Sequence, residues 1–185
     1  MAAIDGRDFR RVMGRFATGV AVLTTQVGRE MHGMTANALT SVSLDPPLVL
    51  ICLDGKTHML GLLRQSGTFA VNVLGEQQAH VSDYFAKRPV PVPEERFVPW
   101  ECGPRLSSCL AAVACRVETS VEAGDHTVVI GRVVALFEGD AASRPLLFFA
   151  GSYGDFRRRG ADGAAENVPL GLGDQRIFYD PGEGS

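Results

Sequence analysis

The chain has 185 residues, of which 45% are hydrophobic and 21% charged, with a formal charge of -3. This is the size and balance of one globular domain with a substantial core, which excludes a disordered chain. The charge supplies no field for nucleic acid or an anionic membrane, the apolar runs are too short to span a bilayer, and the N-terminus lacks a signal-peptide core, so a cytoplasmic protein bound to neither is expected.

Phe9, Val12, Met13 and Phe16 recur at helical spacing, which predicts an amphipathic helix from about Asp8 to Ala17 whose apolar stripe caps the body. Val20 to Thr25 is a short β-branched run followed by a hairpin turn at Gly28-Arg29. Leu48 to Leu53 reads as a buried strand, kept from starting earlier by Pro46-Pro47. Thr57 caps a helix whose apolar face is Met59, Leu60, Leu62 and Leu63 and whose stop is Gly67. A strand at Phe69 to Leu74 and a helix from Gln77 to Lys87 follow, the latter ended by Arg88-Pro89. Pro89, Pro91, Pro93 and Pro99 mark an extended surface loop.

Ala111 to Val121 alternates as a half-buried strand, Glu122 to Asp125 turns the chain, and Thr127 to Phe137 returns as a long apolar strand. Pro145 to Phe149 adds another. The segment from Arg157 to Ser185, rich in glycine and charge, is expected to be a loosely ordered tail on which Ile177-Phe178-Tyr179 could still dock. About six strands at hairpin-like separations point to a mainly β antiparallel barrel or sandwich rather than to βαβ units.

Neither common nucleotide-binding loop occurs, no C-x-x-C occurs, and the histidines are too scattered for a metal set, so no metal is expected. The cysteines Cys52, Cys102, Cys109 and Cys115 are expected to be reduced. Gly151-Ser152-Tyr153-Gly154 approaches a hydrolase nucleophile elbow, but the required histidine after the nucleophile is missing, since the last one is His126. A turn there could instead bring a tyrosine and backbone amides close to a ligand. Gly33 to Pro47 is the most informative stretch: Thr35, Asn37, Thr40, Ser41 and Ser43 offer hydroxyls and an amide beside small residues that let a planar ligand reach the backbone. By composition alone the same stretch reads equally as a Thr/Ser-rich edge strand.

This stretch resembles the flavin reductase-like family, whose fold is an FMN-binding split barrel and whose best-known members serve two-component flavin monooxygenases. The resemblance runs from about Phe9 to Phe156 and takes in Ala17 to Thr25, Phe69 to Leu74, Gly124-Asp125-His126 and Pro145 to Phe149. It implies an antiparallel six-stranded Greek-key split β-barrel with a few peripheral helices over residues 1–160, leaving 161–185 as a C-terminal tail. The activity implied is hydride transfer from NADH or NADPH to FAD or FMN, in a homodimer that supplies reduced flavin to a partner monooxygenase.

Carried onto this sequence, the resemblance sets Thr35, Ala36, Asn37 and Ala38, with Cys52, Leu53 and Asp54, against the flavin ring. Thr40, Ser41, Val42, Ser43, Lys56 and Thr57 are expected around its phosphate, with Ser41, Ser43, Lys56, Thr57 and Lys87 forming one clamp. Phe85-Ala86-Lys87 resembles a flavin-contacting segment, although Phe85 alone reads as a core residue. His126 is expected to orient the nicotinamide, with Ser152 and Tyr153 in the same pocket, because hydride transfer needs alignment and no protein nucleophile. A flavin-holding electron carrier without nicotinamide turnover, and an oxidase of pyridoxamine phosphate on a related barrel, remain open alternatives.

Overall fold

The computed structural model describes residues 3–140 and 142–157; the predicted tail 161–185, with Ile177-Phe178-Tyr179, lies outside them. The Asp5 carboxylate accepts the Arg7 N–H at 2.6 Å and starts helix α1 (Gly6–Met13). The helix ends earlier than its periodicity suggests, because Gly14 caps it. Its apolar stripe does not cap the body: Phe9 is 58% and Phe16 72% exposed, and Val12 and Met13 are exposed too. Spacing reveals that a stripe exists but not what covers it.

Strands β1 (Thr18–Gly19), β2 (Ala21–Val27) and β3 (Glu30–Ala36) follow, with β2 and β3 joined at Gly28, whose φ of 58° suits a hairpin turn. The link 37–38 leads into β4 (Leu39–Leu44), and β5 (Pro47–Asp54) returns along it. Helix α2 (His58–Ser66) has the predicted limits, with Thr57 accepting the Leu60 N–H at 3.3 Å and Gly67 in the left-handed region at φ 66°. After β6 (Thr68–Val73), the predicted Gln77–Lys87 helix divides into a 3₁₀ turn at Glu76–Gln78 and α3 (Ala79–Phe85). It stops before Lys87, whose φ of 59° leaves the helical region. The proline-rich loop carries β7 (Phe97–Val98), which pairs with β8 (Arg105–Leu106).

The long hairpin β9 (Ala111–Ala123) and β10 (His126–Glu138) is as predicted, with Gly124 at φ 65° in the turn. β11 (Leu147–Phe149) and β12 (Ser152–Gly154) close the described chain. The turn expected at Gly151 to Gly154 therefore sits one step earlier, at Ala150-Gly151, where both residues have positive φ. Among the described residues twelve strands form rather than about six.

Seven of them make one antiparallel sheet in the order β3-β2-β6-β9-β10-β5-β4. Its two edge strands are consecutive in the chain, so the 37–38 link draws the edges toward each other and curls the sheet around a core of Leu23, Ile51, Leu53, Phe69, Val71 and Val129. Met59, Leu60 and Leu63 of α2 pack into the same core. At Gly131 a Cβ would stand 2.5 Å from the Phe69 ring, so only glycine lets β10 pass there. A second core, with Val22, Leu74, Val81, Leu106 and Leu146, joins β2 to α3 and to the small sheet β1-β11-β12. On the outer side of the β9-β10 hairpin Val121, Val134 and Leu136 are exposed, and among them Arg132 makes a two-point contact with Glu118 at 2.7 and 2.8 Å.

Candidate functional site

Alternation along β5 divides its side chains. Ile51 and Leu53 are fully buried, whereas Cys52 is half-buried and Asp54 exposed on the other face. Leu53 therefore offers a ligand only its backbone. On β10, Thr127 and Val129 point inward, leaving His126 directly opposite Asp54 and Val128 opposite Cys52. From the other side the Cys52 N–H donates to the Ala38 carbonyl at 3.1 Å, bringing the 37–38 link to the same place. The Asn37 amide, which continues that link, donates to the Thr18 hydroxyl at 3.2 Å. Asn37, Ala38, Cys52, Asp54 and His126 thus border one outward face, at the end of β5.

The loops at this end are laced together. Gly55 N–H donates to the Asp125 carbonyl at 2.9 Å, and the Asp54 carboxylate accepts the Lys56 N–H at 2.8 Å. The His126 ring lies 2.7 Å from the Asp125 carboxylate through Nδ1. That hydrogen bond, then the charge of the ring, hold the Asp125 carboxyl below its usual range. With Nδ1 engaged, Nε2 of the half-exposed ring is left as the nitrogen available to a ligand.

Ser41 and Ser43 lie on β4, where the register shifts between them and puts Val42 in a bulge, 44% exposed. Thr40 is exposed beside them and donates to the Ser41 carbonyl at 3.2 Å. Ser41 pairs with Val49. At ~3.3 Å per residue, about 16 Å of strand separates that level from Asp54, and Lys56 and Thr57 lie beyond it. The single clamp expected of Ser41, Ser43, Lys56, Thr57 and Lys87 is therefore not assembled within one chain: the serines flank one end of β5, Lys56-Thr57 the other, and Lys87 follows the end of α3. Thr57 is also occupied as the α2 cap.

Thr35 donates its hydroxyl to the Ser82 carbonyl at 2.6 Å, tying β3 to α3 beside the half-buried Ala36. Phe85 behaves as a packing residue, laid over Gly33 so closely that a Cβ there would stand 2.5 Å away, and in ring contact with Tyr84 and Phe97. Ala86 caps α3. Lys87, with Phe85, Phe97, His32 and Arg88, lines a cavity of about 570 Å³ under the proline-rich loop. Tyr153 is committed elsewhere: its hydroxyl donates to the Asp83 carboxylate at 2.7 Å and lies 2.9 Å from the Ser82 hydroxyl, while Arg88 sits over its ring. Burial is the main reason its phenol is held above the ordinary range. Ser152 is exposed on β12. Tyr153 thus stands with α3, whereas His126 stands with β5.

Sequence spacing missed Thr18, Ser82 and Asp83. Thr18 was within reach, because it lies in the stretch Ala17 to Thr25 that carries the resemblance. Ser82 and Asp83 meet Tyr153 across 71 and 70 residues of chain, which no local pattern encodes. Among the described residues no cluster of histidine, cysteine or carboxylate side chains is arranged to hold a metal, and all four cysteines are unpaired.

Comparison with known proteins gives a consistent result. A family model described as "Flavin reductase like domain" matches residues 13–157. An NADH-dependent flavin reductase of a Rhodococcus species is 42% identical over 157 residues, 83% of this chain and 88% of that protein. The reductase subunit HsaB of a flavin-dependent monooxygenase of Mycobacterium tuberculosis is 40% identical, covering 82% of this chain and 83% of its own. The styrene monooxygenase flavin reductase of Pseudomonas putida S12 superposes with a TM-score of 0.75 at 40% identity, over 82% of this chain and 98% of its own.

Proposed function

The chain belongs to the flavin reductase-like family, and from that premise we propose that it is an NAD(P)H-dependent flavin reductase that delivers reduced FMN or FAD to a partner monooxygenase. The observation that carries the reading is the outward face on which β5, β10 and the 37–38 link converge.

The residues there fit a flavin. Val128 and the half-buried Cys52 make an apolar floor, and Asn37 with the backbone groups around Ala38 supplies donors and acceptors at its rim. Covering roughly 200 Å² of ring at ~25 cal/mol per Å² stabilises by about 5 kcal/mol, against the ~8 kcal/mol of a micromolar complex. Phosphate contacts make up the difference, and we assign them to Ser41 and Ser43 beside the β4 bulge. When bound, the flavin accepts a hydride from the dihydronicotinamide. His126, fixed by Asp125, orients the nicotinamide through Nε2, and the protein contributes alignment at ~3 to 3.5 Å rather than a nucleophile.

We further read the curled sheet as a split barrel and the exposed apolar surface of α1 and the β9-β10 hairpin as the interface of a homodimer. No helix among the described residues is long and apolar enough to cross a membrane. The four unpaired thiols suit the cytoplasm, the compartment we assign.

Steady-state loss of nicotinamide absorbance with FMN or FAD, chelator present, tests the activity. Many turnovers per protein are expected; stoichiometric reduction alone would identify an electron carrier instead. Replacing Ser41 and Ser43 together by Ala is expected to weaken flavin binding by about 1 to 3 kcal/mol, the range for hydrogen bonds to a charged group. Unchanged affinity in the folded variant, with a loss in Lys56→Ala, would move the phosphate to the other end of β5.

A further inference from the structure

Beside the turn Ala150-Gly151, the end of α1 leaves a recess of about 220 Å³ lined by Arg10, Arg11, Gly14, Arg15, Ala150 and Gly151. We infer that this recess is a diphosphate subsite, holding the pyrophosphate bridge of a dinucleotide whose reactive ring lies on the face of Asn37, Cys52 and His126. The inference rests on the flavin reductase reading and adds to it a place for the half of the dinucleotide that FMN lacks.

Charge is the first argument. Arg11 is paired with Asp8 at 3.0 Å, but Arg10 and Arg15 have no ion-pair partner among the described residues. Arginines at a helix C-terminus ordinarily serve its carbonyls and its partial negative charge of about half a unit. Here the backbone already serves the carbonyls: Gly14 N–H donates to Arg10, Arg15 to Val12, Phe16 to Met13, and Ala150 to Gly14 at 2.8 Å. Arg10 and Arg15 therefore line the recess without an ion pair of their own among the described residues. Guanidinium is also the side-chain group whose planar fork matches phosphate oxygens two at a time.

Shape is the second. The recess is open to solvent and has room for a diphosphate group. Its wall is fixed at some cost, since Ala150 holds a φ of 49° that residues with a Cβ seldom adopt, and its N–H is anchored on Gly14.

Position is the third. Three residues after Arg15, Thr18 accepts the Asn37 amide at the rim of the flavin face. Arg10 is close enough to Asp125, the neighbour of His126, for its charge to act on that carboxyl, after the larger effects of the His126 hydrogen bond and charge. The recess and the ring face are thus adjoining parts of one surface.

The test measures equilibrium binding of FMN, FAD and NADH separately, by flavin fluorescence quenching and by calorimetry, on wild-type protein and on the Arg10→Ala/Arg15→Ala variant. Loss of a charge-assisted contact should raise the dissociation constant of a dinucleotide about tenfold or more relative to that of FMN. A rise confined to FAD identifies the flavin's own bridge, and one confined to NADH identifies the nicotinamide nucleotide's; either supports the subsite. Constants for FAD and NADH that keep their wild-type ratio to FMN overturn it. Should the variant fail to fold, the single variants Arg10→Gln and Arg15→Gln give the same contrast, and at least one must weaken FAD or NADH relative to FMN. Unchanged ratios in both overturn the subsite. A wild-type protein that binds flavin but never oxidises NADH would refute the reductase reading while leaving this comparison of affinities intact.

Discussion

Cys52 is the one cysteine whose surroundings leave it reactive. Burial raises the thiols of Cys102 and Cys109 above their ordinary range and pushes that of Cys115 up to about 12. Those three sit in the cores, whereas Cys52 is half-buried on the outward face of β5. Native protein at pH 8 should therefore release one equivalent of chromophore with a disulfide reagent, and all four only after denaturation. Saturating FMN should slow that single reaction; a rate indifferent to FMN would take Cys52 off the flavin face. His126 permits a different separation. Its ring is assigned to the nicotinamide at the border of the flavin face, so His126→Ala should leave flavin affinity within about twofold while lowering the rate of flavin reduction by NADH by about tenfold or more, since hydride transfer is steep in alignment. Stopped-flow reduction beside fluorescence titration reads both quantities. Equal reduction rates would leave His126 a surface residue.

At the scale of elements, the tie between β12 and α3 depends on a protonated phenol. Tyr153→Phe removes a hydrogen bond to a carboxylate, so a loss of about 1 to 2 kcal/mol is expected at neutral pH. The folded-state phenol is held above its unfolded value, so this stabilisation is fully present below about pH 10 and disappears as pH rises through the raised folded value. Wild type and variant should accordingly converge in denaturation midpoint only in strong alkali; a constant difference would show that the hydroxyl is not the tie. This contact also marks where the sequence stopped being legible. Helix α2 could be read from Thr57, Gly67 and four leucine or methionine positions, because cap, stripe and stop are all local. The β9-β10 hairpin was legible for the same reason. The Tyr153 contact joins residues some seventy apart, and the expected phosphate clamp is not assembled within one chain because adjacency to a strand says nothing about which end of it a neighbouring strand reaches. The stripe on α1 announced a helix without announcing its direction.

At the scale of the molecule, the proposed homodimer joins copies of the chain through the exposed apolar residues of α1 and of the β9-β10 hairpin. If that surface is the homodimer interface, association removes the Glu118–Arg132 pair from water. In the free chain the pair is exposed to solvent and contributes little. Within an interface, removing one partner strands a charge, so Glu118→Ala should weaken the dimer, while replacing both residues with apolar ones should cost far less or strengthen it. Analytical ultracentrifugation of the single and double variants distinguishes these outcomes, and identical dissociation constants would place the pair outside the interface. A charge pair set among apolar residues also acts as a filter on the partner. A related subunit bringing a like charge to that position would meet both a clash and an unpaired ion. A cell that makes two reductases of this kind can thus keep them in separate dimers, each serving its own oxygenase, without any difference in their active sites.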